Sequence, residues 1–182
     1  MRKFISLLVL LAFGALSGCA SVRMQDTTLV KAPNEKKALV SFVRPRVFMG
    51  DGLDVDIWDG EHYLGSLSAG SVIQCEVDPG KHVFLASSEN WGYAAGDLQA
   101  GKKYFIKANI FPGVVYGRVA LGVAKADDKR VDEWLSSLKP TMASDKDKKE
   151  VEDKKRVAIR AAVSDFNAGK VTYAQMQPED GR

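Results

Sequence analysis

Val55-Asp56-Ile57-Trp58-Asp59-Gly60-Glu61-His62-Tyr63-Leu64-Gly65-Ser66-Leu67 is the stretch whose reading decides the fold. Leu53, Val55 and Ile57 alternate with Asp54 and Asp56, the period-two pattern of a strand with one apolar and one wet face. Asp59-Gly60 carries the chemistry of a tight hairpin, and Glu61 to Leu67 returns as the second strand. The pattern repeats outward in both directions. Ala38 to Arg44 reads as a strand stopped by Pro45, which has no N–H for a ladder. Ser71 to Val77 sets Ile73, Cys75 and Val77 on one face, and Asp78-Pro79-Gly80 is a turn. His82 to Ala86, Tyr104 to Asn109 and, after Pro112-Gly113, Val114 to Ala124 supply further strands. Close strand signals separated by Gly, Pro and Asp predict a mainly β protein, an antiparallel β-sandwich or barrel.

Two helical segments follow. Val131, Trp134, Leu135 and Leu138 share one helical face, and Pro140 ends the segment. Between Asp145 and Arg156, 11 of 12 residues are charged with mixed sign. Ile159, Ala162, Val163 and Phe166 then restore the apolar spacing up to Gly169. This predicts a solvated helix whose last turns dock on the body, with a partner-binding helix as the sharper alternative.

The N-terminus carries an address. Met1-Arg2-Lys3 is basic, and Phe4 to Leu16 is an apolar run of 13 residues. That is signal-peptide length, short of the ~20 residues a membrane-crossing helix needs. Leu16-Ser17-Gly18-Cys19 resembles the lipobox of bacterial lipoproteins. The resemblance implies diacylglycerol on the Cys19 thiol, cleavage before it and acylation of the new amine. Two or three chains anchor a protein stably, at about 0.8 kcal/mol per buried methylene. Ala20, where such lipoproteins carry Asp for inner-membrane retention, points to the outer membrane, facing the periplasm.

The strand order from Ala38 to Val123 resembles a family of uncharacterised bacterial lipoproteins with a small domain related to PEGA-type β-domains. The matching residues are Ala38 to Pro45, Val55 to Leu67, Asp78 to His82, Gly92-Tyr93 and Leu98 to Phe105. The resemblance implies a β-sandwich, immunoglobulin-like or transthyretin-like, and brings no catalytic residues. The expected organisation is a signal peptide over 1–18 and a lipidated cysteine with a flexible tether over 19–36. A β-sandwich over 37–126, a helical extension over 127–170 and a tail over 171–182 follow.

Composition excludes several classes. The chain has 182 residues, 46% apolar and 27% charged, which is one folded domain with appendages. Removing residues 1–18 takes away Arg2 and Lys3 and lowers the net charge from +3 to +1, so no nucleic-acid partner is expected. With Cys19 acylated, Cys75 has no disulfide partner, and its alternation with Ile73 and Val77 predicts a buried, inert thiol. Asp51, Asp54, Asp56 and Asp59 are dense, but Asp54 and Asp56 sit at period two on a strand, not on a curved loop that converges oxygens on Ca²⁺, and EF-hand and repeat-in-toxin spacing are absent. His62 and His82 lie in separate strands without zinc-ligand spacing, and Gly65 to Gly70 lacks the nucleophile-elbow register. No catalytic residue, metal site or cofactor is expected. Trp91 and Tyr93, in a stretch read as a loop from Ser87 to Asp97, are the candidate partner contacts, weighed against capping one end of the sandwich. The reading is a non-enzymatic envelope lipoprotein, tied to the bilayer through Cys19, that binds an envelope protein or a cell-wall component. An assembly accessory acting through the charged helix is the alternative, and an envelope enzyme is disfavoured.

Overall fold

Ala38–Arg44 is buried at all seven positions, which a strand wet on one face could not be. The reason lies in the layers around it. The computed structural model describes residues 24–47 and 50–182, so Leu16 to Cys19 and the signal segment lie outside the described residues. In chain order the elements are β1 (Gln25–Asp26), β2 (Ala38–Arg44), β3 (Val55–Asp59), β4 (His62–Leu67), β5 (Ser71–Val77) and β6 (Gly80–Ser87). Then come β7 (Trp91–Leu98), β8 (Lys103–Pro112), β9 (Gly117–Val123), α1 (Arg130–Ser137), β10 (Lys139–Met142), α2 (Asp145–Asn167) and β11 (Ala174–Met176).

Two sheets form, ordered β1-β10-β5-β2-β8-β9 and β11-β7-β6-β3-β4. Phe42, Ile73, Tyr104 and Ile106 of the first enclose one core with Ile57, Leu67 and Phe84 of the second. The predicted β3–β4 hairpin is present, with Gly60 at φ +55, where a Cβ would be strained. The expectation of a purely antiparallel arrangement is corrected. β2 runs parallel to β8, β10 parallel to β5 and β11 parallel to β7, so both sheets are mixed.

Each outer face carries a helix. Val131, Trp134 and Leu138 pack on Val43, Val72 and Phe105, which explains why both faces of β2 are apolar. On the other sheet, Val151, Ile159 and Ala162 of α2 cover Trp58, Tyr63, Leu85 and Tyr93. Ser144 caps α2 by accepting the Asp147 N–H at 3.1 Å, and Asp145 and Asp147 suit the positive end of the helix. The docking runs along the helix, not only its last turns. Glu152 accepts the Tyr63 N–H at 2.9 Å, Lys155 pairs with Asp56, and Arg160 pairs with Glu61 at 2.9 Å. The face of β3 expected to be wet is therefore roofed by the charged helix. No helix among the described residues is long and apolar enough to cross a membrane.

Both ends of the described chain join this body. Residues 171–182, expected as a tail, supply β11, and Arg182 exchanges two backbone hydrogen bonds with Lys103 at 2.9 and 3.1 Å. The expected tether is laid down from Met24 onward. Gln25–Asp26 pairs with β10, and the Val30 and Asn34 N–H groups donate to Gln74 and Glu76, each at 2.8 Å. Arg44 ends β2 with its side chain turned inward, 3% exposed. Its guanidinium donates to the carbonyls of Leu53, Leu67 (2.8 Å) and Gly50 (2.5 Å).

Candidate functional site

The β8–β9 hairpin carries four of the exposed large apolar side chains among the described residues. Phe111, Val114, Val115 and Tyr116 are 51, 93, 72 and 80% exposed. Four exposed apolar residues in six are unusual for a turn, where polar residues normally meet water.

The turn is held from the side by the short loop between β6 and β7. Both oxygens of the Glu89 carboxylate accept backbone N–H groups, from Val114 at 2.9 and 3.1 Å, Val115 at 3.2 Å and Tyr116 at 3.3 Å. Desolvation opposes its ionisation, but these three donors outweigh that and keep the carboxyl below the usual range. A Cβ on Gly113 would collide with Glu89, so only glycine lets the carboxylate enter the turn. Ser88 Oγ donates to the Gly117 carbonyl at 2.5 Å. Asn90 closes the edge of β9, accepting from Val119 N at 2.7 Å and donating to Val119 O at 3.0 Å. Three consecutive polar side chains thus fix an apolar tip. Beneath it lies a groove of about 540 Å³, bounded by Leu53, Asp54, Asp56, Glu89, Tyr116 and Lys155 among others.

The sequence-based candidates fall elsewhere. Trp91 and Tyr93 are not in a loop; they begin strand β7. Tyr93 is 6% exposed, donates to the Ala162 carbonyl at 3.4 Å and stacks on Phe166 at 6.1 Å. It holds α2 to the sheet, so removing it strikes folding and cannot serve as a clean test of partner capture. Trp91 is half-buried and lines a shallow groove of about 400 Å³ with Asn90 and Tyr173.

The four aspartates each meet a different group. Asp51 faces Arg46 at 3.6 Å, Asp54 accepts from Ser68 at 2.6 Å, Asp56 takes Lys155 and the Tyr63 hydroxyl, and Asp59 takes His82. No group of three His, Cys, Asp or Glu side chains able to hold a metal occurs among the described residues. Cys75 is half-buried on the core side of β5, and burial pushes its thiol up to about 12. His62 is exposed, 3.8 Å from Glu152.

His82 is held on both ring nitrogens, Nδ1 against Asp59 at 2.9 Å and Nε2 against the Asp78 carbonyl at 2.8 Å. Two acceptors fit the doubly protonated ring. The hydrogen bond to Asp59 raises its pKa, against desolvation. Its contribution to stability is complete below the ordinary histidine value of ~6.5 and disappears as pH rises through the raised folded value. His82→Gln is therefore expected to cost most near about pH 5 and much less near about pH 9, read from urea midpoints. A cost independent of pH would show that the ring is neutral in the fold.

Sequence reasoning missed Glu89 and the tip because Pro112-Gly113 reads as a turn leading straight into a strand. The only signal was Val114-Val115-Tyr116 directly after a turn dipeptide, apolar where polarity is expected. No family model, no curated protein and no solved structure matches this chain.

Proposed function

We propose that this protein is a lipid-anchored protein of the bacterial envelope, held in the outer membrane facing the periplasm, that works by binding without turnover. The observation that carries the reading is the register of Met1 to Cys19: basic start, 13-residue apolar run, and Leu16-Ser17-Gly18-Cys19 at its end. The β domain is then a sandwich of the immunoglobulin-like or transthyretin-like kind, with the likeness to PEGA-type domains part of the same proposal. Its two sheets around one core support this. The partner is an envelope protein or a cell-wall component. The exposed apolar tip supports a binding role, because folded chains rarely leave such residues in water without use.

Cys19→Ser tests the anchor. Labelled palmitate should no longer be incorporated, and uncleaved precursor should accumulate. A correctly cleaved, soluble Cys19→Ser protein would overturn the reading and leave an ordinary secretory signal. Crosslinking in intact cells followed by pull-down then identifies the partner, and loss of every crosslinked species would count against a binding module.

A further inference from the structure

We infer that the β8–β9 tip is a second membrane contact, inserting Val114, Val115 and Tyr116 into the interface of the bilayer in which Cys19 is anchored. The inference deepens the anchored reading and rests on it only for what brings the domain to the membrane.

The shape of the site favours a bilayer over a protein. A specific protein interface needs about 800 Å² per partner around a buried centre. Here the exposed apolar surface is one hairpin turn, with Phe111 and Val47 behind it and the groove against Leu53 beneath Val115 and Tyr116. The other exposed large apolar side chains, such as Val30, Val157 and Tyr173, lie in other segments of the chain. So small an apolar point suits a fluid surface that closes around it. The flanking chemistry agrees. Arg118 is the cross-strand partner of Phe111 at the base of the hairpin. A cation behind an apolar point, with a tyrosine among the apolar residues, matches the order of acyl chain, interface and headgroup.

Rigidity matters as well. Inserting a loose loop would cost the entropy of ordering it, whereas Glu89 and Gly113 already hold this one. Glu89 also satisfies the N–H groups of Val114, Val115 and Tyr116, which would otherwise enter an apolar medium without partners.

The reach of the chain permits both contacts. Cys19 is five residues before Met24 and so lies within about 18 Å of it. Met24 is fixed beside β4, its sulfur accepting the Ser66 N–H at 3.3 Å, and it packs near Ile73. Ile73, Phe42 and Ile106 are neighbours across the first sheet, and the tip starts six residues beyond Ile106. Six strand residues span about 20 Å. The reach of residues 19–24 is thus comparable to the length of β8 from Ile106 to the tip, so the anchor leaves the tip free to meet the same bilayer.

The test uses the full chain, processed in cells and reconstituted into phosphatidylethanolamine–phosphatidylglycerol vesicles. Val115→Cys carries an environment-sensitive fluorophore; Ala100→Cys, at the β7–β8 turn on the opposite end, is the control. Tyr116→Cys serves as a second tip position. Half-buried Cys75 is replaced by Ser in every labelled protein, and acylation of Cys19 is read separately by mass. The tip probes should shift to the blue and lose about half or more of their emission to lipids brominated near the interface, with the control unchanged. Tip probes that remain in water on protein with acylated Cys19 would overturn the inference. So would tip probes that are buried but not quenched by brominated lipid, the signature of a protein partner or a second copy. Quenched tip probes on protein with unmodified Cys19 would support the tip and overturn only the anchor; failure of both would overturn both.

Discussion

Arg44→Met is expected to lower the stability of the domain by about 3 kcal/mol, a large share of the roughly 5–15 kcal/mol typical of a folded domain. Arg44 lies at the end of the most buried strand, among residues that otherwise form an apolar core. Burial pulls its pKa down, while Asp54 and Asp51 pull the other way, and an arginine stays charged under such a shift. Its three acceptors belong to the β2–β3 connection and the end of β4. Methionine fills similar volume and removes the cost of burying a charge, but it leaves those carbonyls without their donors. Each buried orphan costs about 1–3 kcal/mol, so the loss exceeds the relief. Arg44→Lys should fall between, because one ammonium on a different stem cannot hold all three carbonyls. Urea unfolding of the three proteins reads the order directly. An Arg44→Met midpoint equal to that of the parent would mean that water replaces the guanidinium without loss.

Ending the chain before Asp145 is expected to abolish cooperative folding. Such a truncation looks harmless in sequence, since it removes a charged helix and a polar tail. In the structure it uncovers Trp58, Tyr63, Leu85 and Tyr93 at once. Each large apolar side chain is worth about 1.5–3 kcal/mol when buried, so four of them amount to roughly the whole stability of a domain. The same cut removes β11 and leaves β7 with an open edge. Loss of the near-ultraviolet circular dichroism of the tryptophans, with binding of a hydrophobic dye, is the expected result. A well-folded, soluble truncation would show that α2 rests on the sheet without stabilising it. Val157→Ser, on the exposed side of α2, should leave the unfolding midpoint where it was.

That second result also bears on the charged helix as a recruiter of partners. Its apolar stripe faces its own sheet, and Glu152, Lys155 and Arg160 reach β3 and β4. A deletion would confuse a lost partner with a lost fold. Substitutions confined to its exposed charges are the informative ones.

What the sequence determined by itself is the set of elements whose signals are local. The β3–β4 hairpin follows from alternation around Asp59-Gly60, and β5 from Ser71 to Val77 has the bounds that alternation implies. The two helices follow from apolar spacing. Pairing between distant segments carries no such signal. Ser87 to Asp97 reads as a loop because its small residues and glycines lack alternation, yet β6 and β11 on either side make a strand of Trp91 to Leu98. Lys139-Pro140-Thr141-Met142 has a proline and no pattern, and it becomes a strand only because the edge of β5 is there to accept it. Asp56 is polar in sequence and covered in the fold, since Lys155 arrives from 99 residues away. Glu89 is one carboxylate among many until the β8–β9 turn brings three N–H groups to it. Alternation, turns and caps are properties of neighbouring residues; edges, roofs and clamps exist only when the chain has closed on itself.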